Sequence, residues 1–429
     1  MSRAEVVLWG RHIASVALDD EVAVFQYHPD FAASGIQVSP LRMPLGRAPL
    51  SFPALPRPAF HGLPGLLADS LPDRYGNALI DAWLARQGRS AASFDAVERL
   101  CYTGARGMGA LEFLPASGPE PTTSEQLELA ELHALAGDVL SDRLALTADL
   151  GARSTAMRHL LQVGTSAGGA RAKALVAWNE KTNEVRSGQV EAGDGFASWL
   201  LKFDGVRNNR DKELEDPRGF GALEYAYHLM AVAAGLEMAE CRLMEEGSRR
   251  HFMTRRFDRT VQGRKLHMQS LAALAHMDFN AAGANSYEQA LRLVRELDLG
   301  MASVEQLFRR MVFNIVARNQ DDHVKNIAFL MTPEGSWSLA PAYDVTYSYN
   351  PQGDWTSRHQ MTLNGKRDAF ELADFRACAR AVSMKRGRAR RIVEEVTDAV
   401  GSWLEIADVV GIPEAWAAEV RAHQRLELR

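Results

Sequence analysis

The chain has 429 residues, 46% hydrophobic and 24% charged, with a net charge of −5. This is ordinary globular composition, with length for two or three packed subdomains, and it gives no overall basic field for nucleic acid. No apolar run approaches the ~20 residues of a membrane span, and no signal peptide is visible after Met1. The three cysteines, Cys101, Cys241 and Cys378, are scattered without a CxxC. Neither a disulfide framework nor a zinc site is expected, and a reducing cytoplasm fits.

Residues 5–27 alternate as short strands, split by turn signals at Gly10-Arg11 and Asp19-Asp20, and predict a β meander. Pro40 to Gly65 is rich in Pro and Gly and predicts irregular backbone. Leu66 to Gln87 reads as helical, through Leu71-Pro72-Asp73. The Ser/Pro/Gly/Thr stretch from Pro115 to Ser124 marks a first boundary, and a helix is expected from Ser124 to Leu140. A Gly-rich segment, Gly164 to Lys173, precedes the strands Ala174–Trp178 and Ala197–Phe203. Phe220 to Leu236 has helical spacing, and His251 to Asp258 reads as a strand. Helices dominate beyond it. The clearest is Ser303 to Ala317, where Ser303 and Gln306 suggest a capping box and Val304, Leu307, Phe308, Met311, Val312, Ile315 and Val316 form one buried stripe. The basic run Lys385 to Arg391 reads as a solvated helix face more readily than as a nucleic-acid patch.

That helix leads into Arg318-Asn319-Gln320-Asp321-Asp322-His323-Val324-Lys325-Asn326, where Val324 is the only apolar residue. A strand, a Gly-containing turn and a second strand then end at Asp344. Asp321 and Asn326 stand as Asp-x4-Asn, with Asp344 after them: the order of a kinase base, a metal-binding Asn and a metal-binding Asp. A carboxylate in reach of a hydroxyl can orient it and accept its proton. Magnesium prefers hard oxygen ligands, which Asn326 and Asp344 supply. Lys202 sits in an apolar strand; a nucleotide phosphate suits it, while the plainer reading is a strand-end lysine reaching water. Glu224, on the next predicted helix, is a candidate ion-pair partner for Lys202, with Glu213 and Glu215 as rivals. Gly168, Gly169, Ala170, Arg171, Ala172 and Lys173 suit a loop whose amides approach phosphate oxygens. His323 reads as a loop brace or a nucleotide contact, and Lys325 as a phosphate contact or a solvated cation. Phe257, with the backbone near Arg255, and Tyr343 complete the candidate nucleotide site.

Together these motifs resemble the HipA family of bacterial toxin Ser/Thr kinases. The resemblance is carried by Ser166 to Lys173, Lys202, Arg256-Phe257-Asp258-Arg259, Asp321 to Asn326 and Pro341-Ala342-Tyr343-Asp344. Leu71-Pro72-Asp73 resembles the family's N-terminal region, and Leu363 to Asp368 its C-terminal lobe. The resemblance implies an α+β, two-lobed protein-kinase-like fold with an extra N-terminal β subdomain and a mostly helical C-terminal lobe. Expected units are 1–120, 121–258 and 259–429. It further implies ATP and Mg2+ as cofactors, Asp321 as base, Asn326 and Asp344 as metal ligands, and Lys202 as the nucleotide lysine. Ser166 would be the autophosphorylated serine. A small helix-turn-helix antitoxin is the implied partner, with DNA reached only through it. The implied substrate is a protein, aminoacyl-tRNA synthetases being known targets of the family. Arg171, Ala172, Asp322 and Arg255 depart from better-studied members, and neither His-Arg-Asp nor Asp-Phe-Gly occurs. A small-metabolite kinase and a kinase-like co-repressor module are the rival readings.

Overall fold

The computed structural model describes residues 2–119, 124–140, 153–164, 171–206, 210–211, 214–215 and 218–428. The chain opens with β1 (Arg3–Leu8), β2 (Arg11–Asp19) and β3 (Val22–Tyr27), the expected meander. Both hairpins turn on two residues with positive φ, Trp9-Gly10 and Asp20-Glu21. That backbone matches the strand twist of type I′ hairpins. β4 (Leu50–Ser51) and β5 (Leu111–Leu114) complete an antiparallel sheet of order β4-β3-β2-β1-β5. Its core includes Val6, Ile13, Phe25, Leu67 and Phe113.

Between β3 and β5 run the short helices α1 (Pro29–Ala32), α2 (Arg57–Phe60) and α3 (Gly65–Ala68), then α4 (Arg74–Arg86) and α5 (Ala96–Thr103). The helix expected over Leu66 to Gln87 is therefore two helices. Pro72 disfavours helical backbone at Leu71. Asp73 then restarts the helix as its N-cap, accepting from the Gly76 amide at 2.6 Å.

α6 (Leu129–Leu140) and α7 (Arg153–Val163) pack against a second sheet. Its strands are β6 (Lys173–Asn179), β7 (Glu184–Ser187), β8 (Ala197–Lys202), β11 (Cys241–Glu246) and β12 (Arg249–Arg255), in the order β11-β12-β8-β6-β7. A two-residue ladder, β9 (Arg210–Asp211) with β10 (Leu214–Glu215), and α8 (Phe220–Ala233) lie between β8 and β11.

The remainder is mainly helical: α9 (Leu271–Ala275), α10 (Tyr287–Glu296), α11 (Gly300–Val316), α12 (Leu372–Ala381), α13 (Arg388–Gly401), α14 (Trp403–Val410) and α15 (Glu414–His423). It includes a small sheet of β13 (His267–Ser270), β14 (Ala328–Met331) and β15 (Trp337–Leu339). The apolar stripe of α11 is buried from Val304 to Val316, as its spacing required. The capping box is not formed. α11 begins at Gly300, so Ser303 lies inside it and donates to the Leu299 carbonyl at 2.9 Å, while Gln306 bonds the backbone at Gly235 and Glu237. Among the described residues no helix is long and apolar enough to cross a membrane.

Candidate active site

The second sheet presents cations on one face. Lys202 pairs directly with Lys173 on β6 and with Phe252 on β12. Opposed residues of an antiparallel ladder project to the same side. Lys202 is buried, and its Nζ donates to Glu224 Oε1 at 2.6 Å and to Asp344 Oδ1. Burial works against the ammonium, but Asp344 and Glu224 outweigh it and hold the lysine above its ordinary pKa. Glu224 also accepts from Arg171 Nη1 at 3.1 Å through its second oxygen. α8 is aimed by Asp204, just beyond β8, whose carboxylate accepts from the Gly219 and Gly221 amides at the helix start. The expected partner of Lys202 is thus in place. Arg171 shares it, and Lys173 Nζ donates to Asp73 Oδ2 at 2.6 Å.

The loop after α11 behaves differently. Asp322 is fully buried and accepts from the Tyr287 hydroxyl at 2.6 Å, the Gln360 amide at 2.7 Å and His359 Nδ1 at 2.8 Å. Arg425 donates to His359 Nε2 at 2.8 Å, so His359 carries its proton on Nδ1 and is neutral. Its burial lowers its pKa to match. Asp321 points the other way: its side chain is 21% exposed and Oδ1 accepts from Trp355 Nε1 at 2.7 Å. Of the two neighbouring carboxylates, only Asp321 has a face open to a substrate.

Asn326 Nδ2 donates to the Asp321 carbonyl at 2.9 Å, which leaves its amide oxygen as the acceptor of that side chain. Asn326 and Asp344 border one small cavity under the loop. Asp344 has φ +51°, a left-handed conformation uncommon outside glycine and frequent at functional sites. Burial would raise the Asp344 pKa, but Lys202 overrides it and keeps the group ionised. An amide oxygen and an ionised carboxylate are hard donors of the kind Mg2+ takes.

The other sequence candidates gather nearby. His323 Nε2 lies 3.8 Å from Asp321 Oδ2, and its ring packs on Phe279. Lys325 Nζ sits 4.9 Å over the Phe279 ring, and its carbonyl accepts from the Tyr343 hydroxyl at 2.6 Å. Phe257 packs against Tyr343, with centroids 5.6 Å apart. Arg255 lies at the end of β12, half exposed, paired with Glu240 at 3.2 Å. Ala172 is buried, and its carbonyl accepts from the Phe203 amide at 3.0 Å. Ser166, Gly168, Gly169 and Ala170 lie outside the described residues. Sequence reasoning quoted Asp73 only within the Leu71-Pro72-Asp73 motif, without its partner, and missed Tyr287, Trp355, His359 and Gln360, which lie in no periodic or motif context. A larger cleft at the Gly235 end of α8 lies elsewhere, and its Arg309, Arg388, Glu305 and Glu395 pair with one another.

Residues 165–404, more than half of the chain, match the model of the HipA-like C-terminal domain. The chain belongs to the HipA family. Residues 4–114 match the HipA N-terminal domain, so both parts of the family architecture are present. The HipA of Shewanella oneidensis MR-1, solved with HipB and operator DNA, superposes with a TM-score of 0.68 at 17% identity over 99% of this chain and 95% of that one. This supports the two-lobed kinase-like fold with its added N-terminal sheet. The kinase CtkA of Helicobacter pylori aligns over 52% of this chain and 92% of its own, at 12% identity and a TM-score of 0.31. A putative kinase of Haemophilus influenzae is 28% identical over 110 residues, 24% of this chain. The match spans about a third of that relative's length.

Proposed function

We propose that this HipA-family chain is an ATP- and Mg2+-dependent protein serine/threonine kinase that acts in the cytoplasm as a growth-arresting toxin. The observation carrying this reading is the junction of Lys202, Glu224 and Asp344, which sets a buried strand cation and an ionised carboxylate beside the Asp321–Asn326 loop. The acceptor hydroxyl oxygen attacks the γ-phosphorus as the bond to the β–γ bridging oxygen breaks, and ADP leaves. The hydroxyl proton passes to Asp321 at Oδ2, since Oδ1 is held by Trp355. Lys202, steadied by Glu224, exchanges its contact with Asp344 for a nucleotide phosphate. Asn326 and Asp344 are the residues that would hold Mg2+, which when bound neutralises phosphate charge. Gly168 to Lys173 supply the amide cradle, and Ser166 is the inhibitory autophosphorylation site. The partner is a small helix-turn-helix antitoxin that brings the chain to DNA, and the substrate is a host protein of the aminoacyl-tRNA synthetase class.

Incubating the protein with labelled ATP, magnesium and cell lysate tests the reaction. Label entering lysate protein at serine or threonine, and lost with Asp321→Asn, is the expected result. Label entering only small molecules would transfer the same site to a metabolite.

A further inference from the structure

Residues 65–73 pass from one core to another. Leu66 and Leu67 are buried in the core of the first sheet, and Tyr75 and Leu79 in that of the second. The crossing is tight: a Cβ on Gly65 would stand 2.2 Å from the Ala273 carbonyl oxygen in α9. The Gly65 amide donates to His276 Nε2 at 3.1 Å. Two carboxylates leave this strap for different lobes. Asp69 accepts from the Ser270 amide at 2.6 Å and from its hydroxyl at 2.8 Å. Ser270 pairs with Ala328 on β14, and the Leu271 amide donates to the Ile327 carbonyl at 2.7 Å, one residue past Asn326. Asp73 reaches Lys173, and the two side chains are 7% and 2% exposed.

Lys173 is the last residue of the Gly-rich segment and the first of β6, and shares a face with Lys202. Lys202 is balanced by Glu224 and Asp344, and Lys173 by Asp73. A buried ammonium that loses its counter-charge is strongly destabilised. The second cation on the same face adds repulsion.

We propose that the strap Asp69–Asp73 is a positioning element of the nucleotide site. Through Asp73 and Lys173 it sets the exit of the Gly-rich segment; through Asp69 and Ser270 it sets the hairpin that follows Asn326. The N-terminal sheet domain thereby holds both lobes in register, and the Lys173 ammonium serves as a latch instead of a phosphate ligand. The functional half of this proposal rests on the kinase reading above; the latch itself does not.

Asp73→Asn keeps an oxygen to cap the Gly76 amide and removes only the charge. Lys173→Met removes the partner charge, and the double variant restores neutrality. Hydrogen exchange of the full-length apo protein and Mg-ATP titration calorimetry are the readouts. Each single variant should speed exchange of β6 amides and raise the Mg-ATP Kd by about tenfold; the double variant should recover most of both. Lys173→Met leaves the Asp73 cap intact and is the deciding variant if Asp73→Asn does not fold. Unchanged β6 exchange in Lys173→Met overturns the latch. So does a set in which Asp73→Asn binds Mg-ATP as well as wild type while Lys173→Met and the double variant lose affinity equally, because Lys173 is then a phosphate ligand. If wild type binds no Mg-ATP, the kinase reading fails, and the exchange measurement still decides the latch.

Discussion

The strand side and the loop side of this site neutralise their charges in different ways. On the second sheet, ions answer ions: Lys202 meets Glu224 and Asp344, Arg171 meets Glu224, and Lys173 meets Asp73. On the loop, carboxylates are met by neutral donors: Asp322 by Tyr287, Gln360 and an uncharged His359, and Asp321 by Trp355. An ion pair can trade one partner for another of like charge, so the strand side is open to exchange of a carboxylate for another anion. A carboxylate held by three fixed neutral donors has no such exchange open to it. The loop side is therefore the rigid half, and Asp322 is its anchor.

The contrast breaks most sharply at the two adjacent aspartates. Asp321→Asn should lower kcat for phosphoryl transfer by about 10³-fold, since a positioned general base supplies about 10²–10⁴. Its unfolding curve should overlay that of wild type. Asp322→Ala should do the reverse in kind, leaving three buried donors without an acceptor and reducing stability by about 3 kcal/mol in denaturant titration. If Asp322→Ala folds normally and only loses activity, the anchor assignment fails.

On the strand side, Glu224→Gln removes the charge shared by Lys202 and Arg171. Lys202 retains Asp344, so the fold should survive, while Mg-ATP affinity falls by about tenfold in titration calorimetry because Lys202 and Asp344 no longer separate easily. Equal affinity in the variant would show that Asp344 alone positions Lys202.

A last expected effect is on pH. His267 is buried, with Nε2 3.1 Å from the Val38 carbonyl, and burial brings its pKa down to about 4. His251 is brought down to about 4, chiefly by burial and by the neighbouring His133. A histidine depressed in the folded state stabilises the protein fully above its unfolded pKa and loses that contribution as pH falls toward the folded one. Thermal midpoints should therefore fall between about pH 6.5 and pH 4. His267→Gln should flatten that slope. A slope unchanged in the variant would assign the acid lability elsewhere.

Much of the loop side was legible in the chain itself. The α11 stripe from Val304 to Val316 fixes which helix is buried, and the polar run behind it, with Asn326 and Asp344 at set distances, marks the candidate site without any partner being known. The meander was legible for the same reason, since strand alternation and two-residue turns are local properties. Pro72 also carried a signal that a single helix over Leu66 to Gln87 ignores.

What the sequence could not decide was which charge meets which. Asp321 and Asp322 are chemically identical neighbours, and only the packing of Tyr287, His359 and Gln360 around one of them separates a buried carboxylate from a partly exposed one. Asp73 and Lys173 are 100 residues apart, and Trp355 is 34 from Asp321. Periodicity and spacing report the neighbours a residue has along its own helix or strand. Desolvation and ion pairing depend on groups that fold closure brings from other elements, so the partners of Lys173, Asp321 and Asp322 were settled by tertiary structure alone.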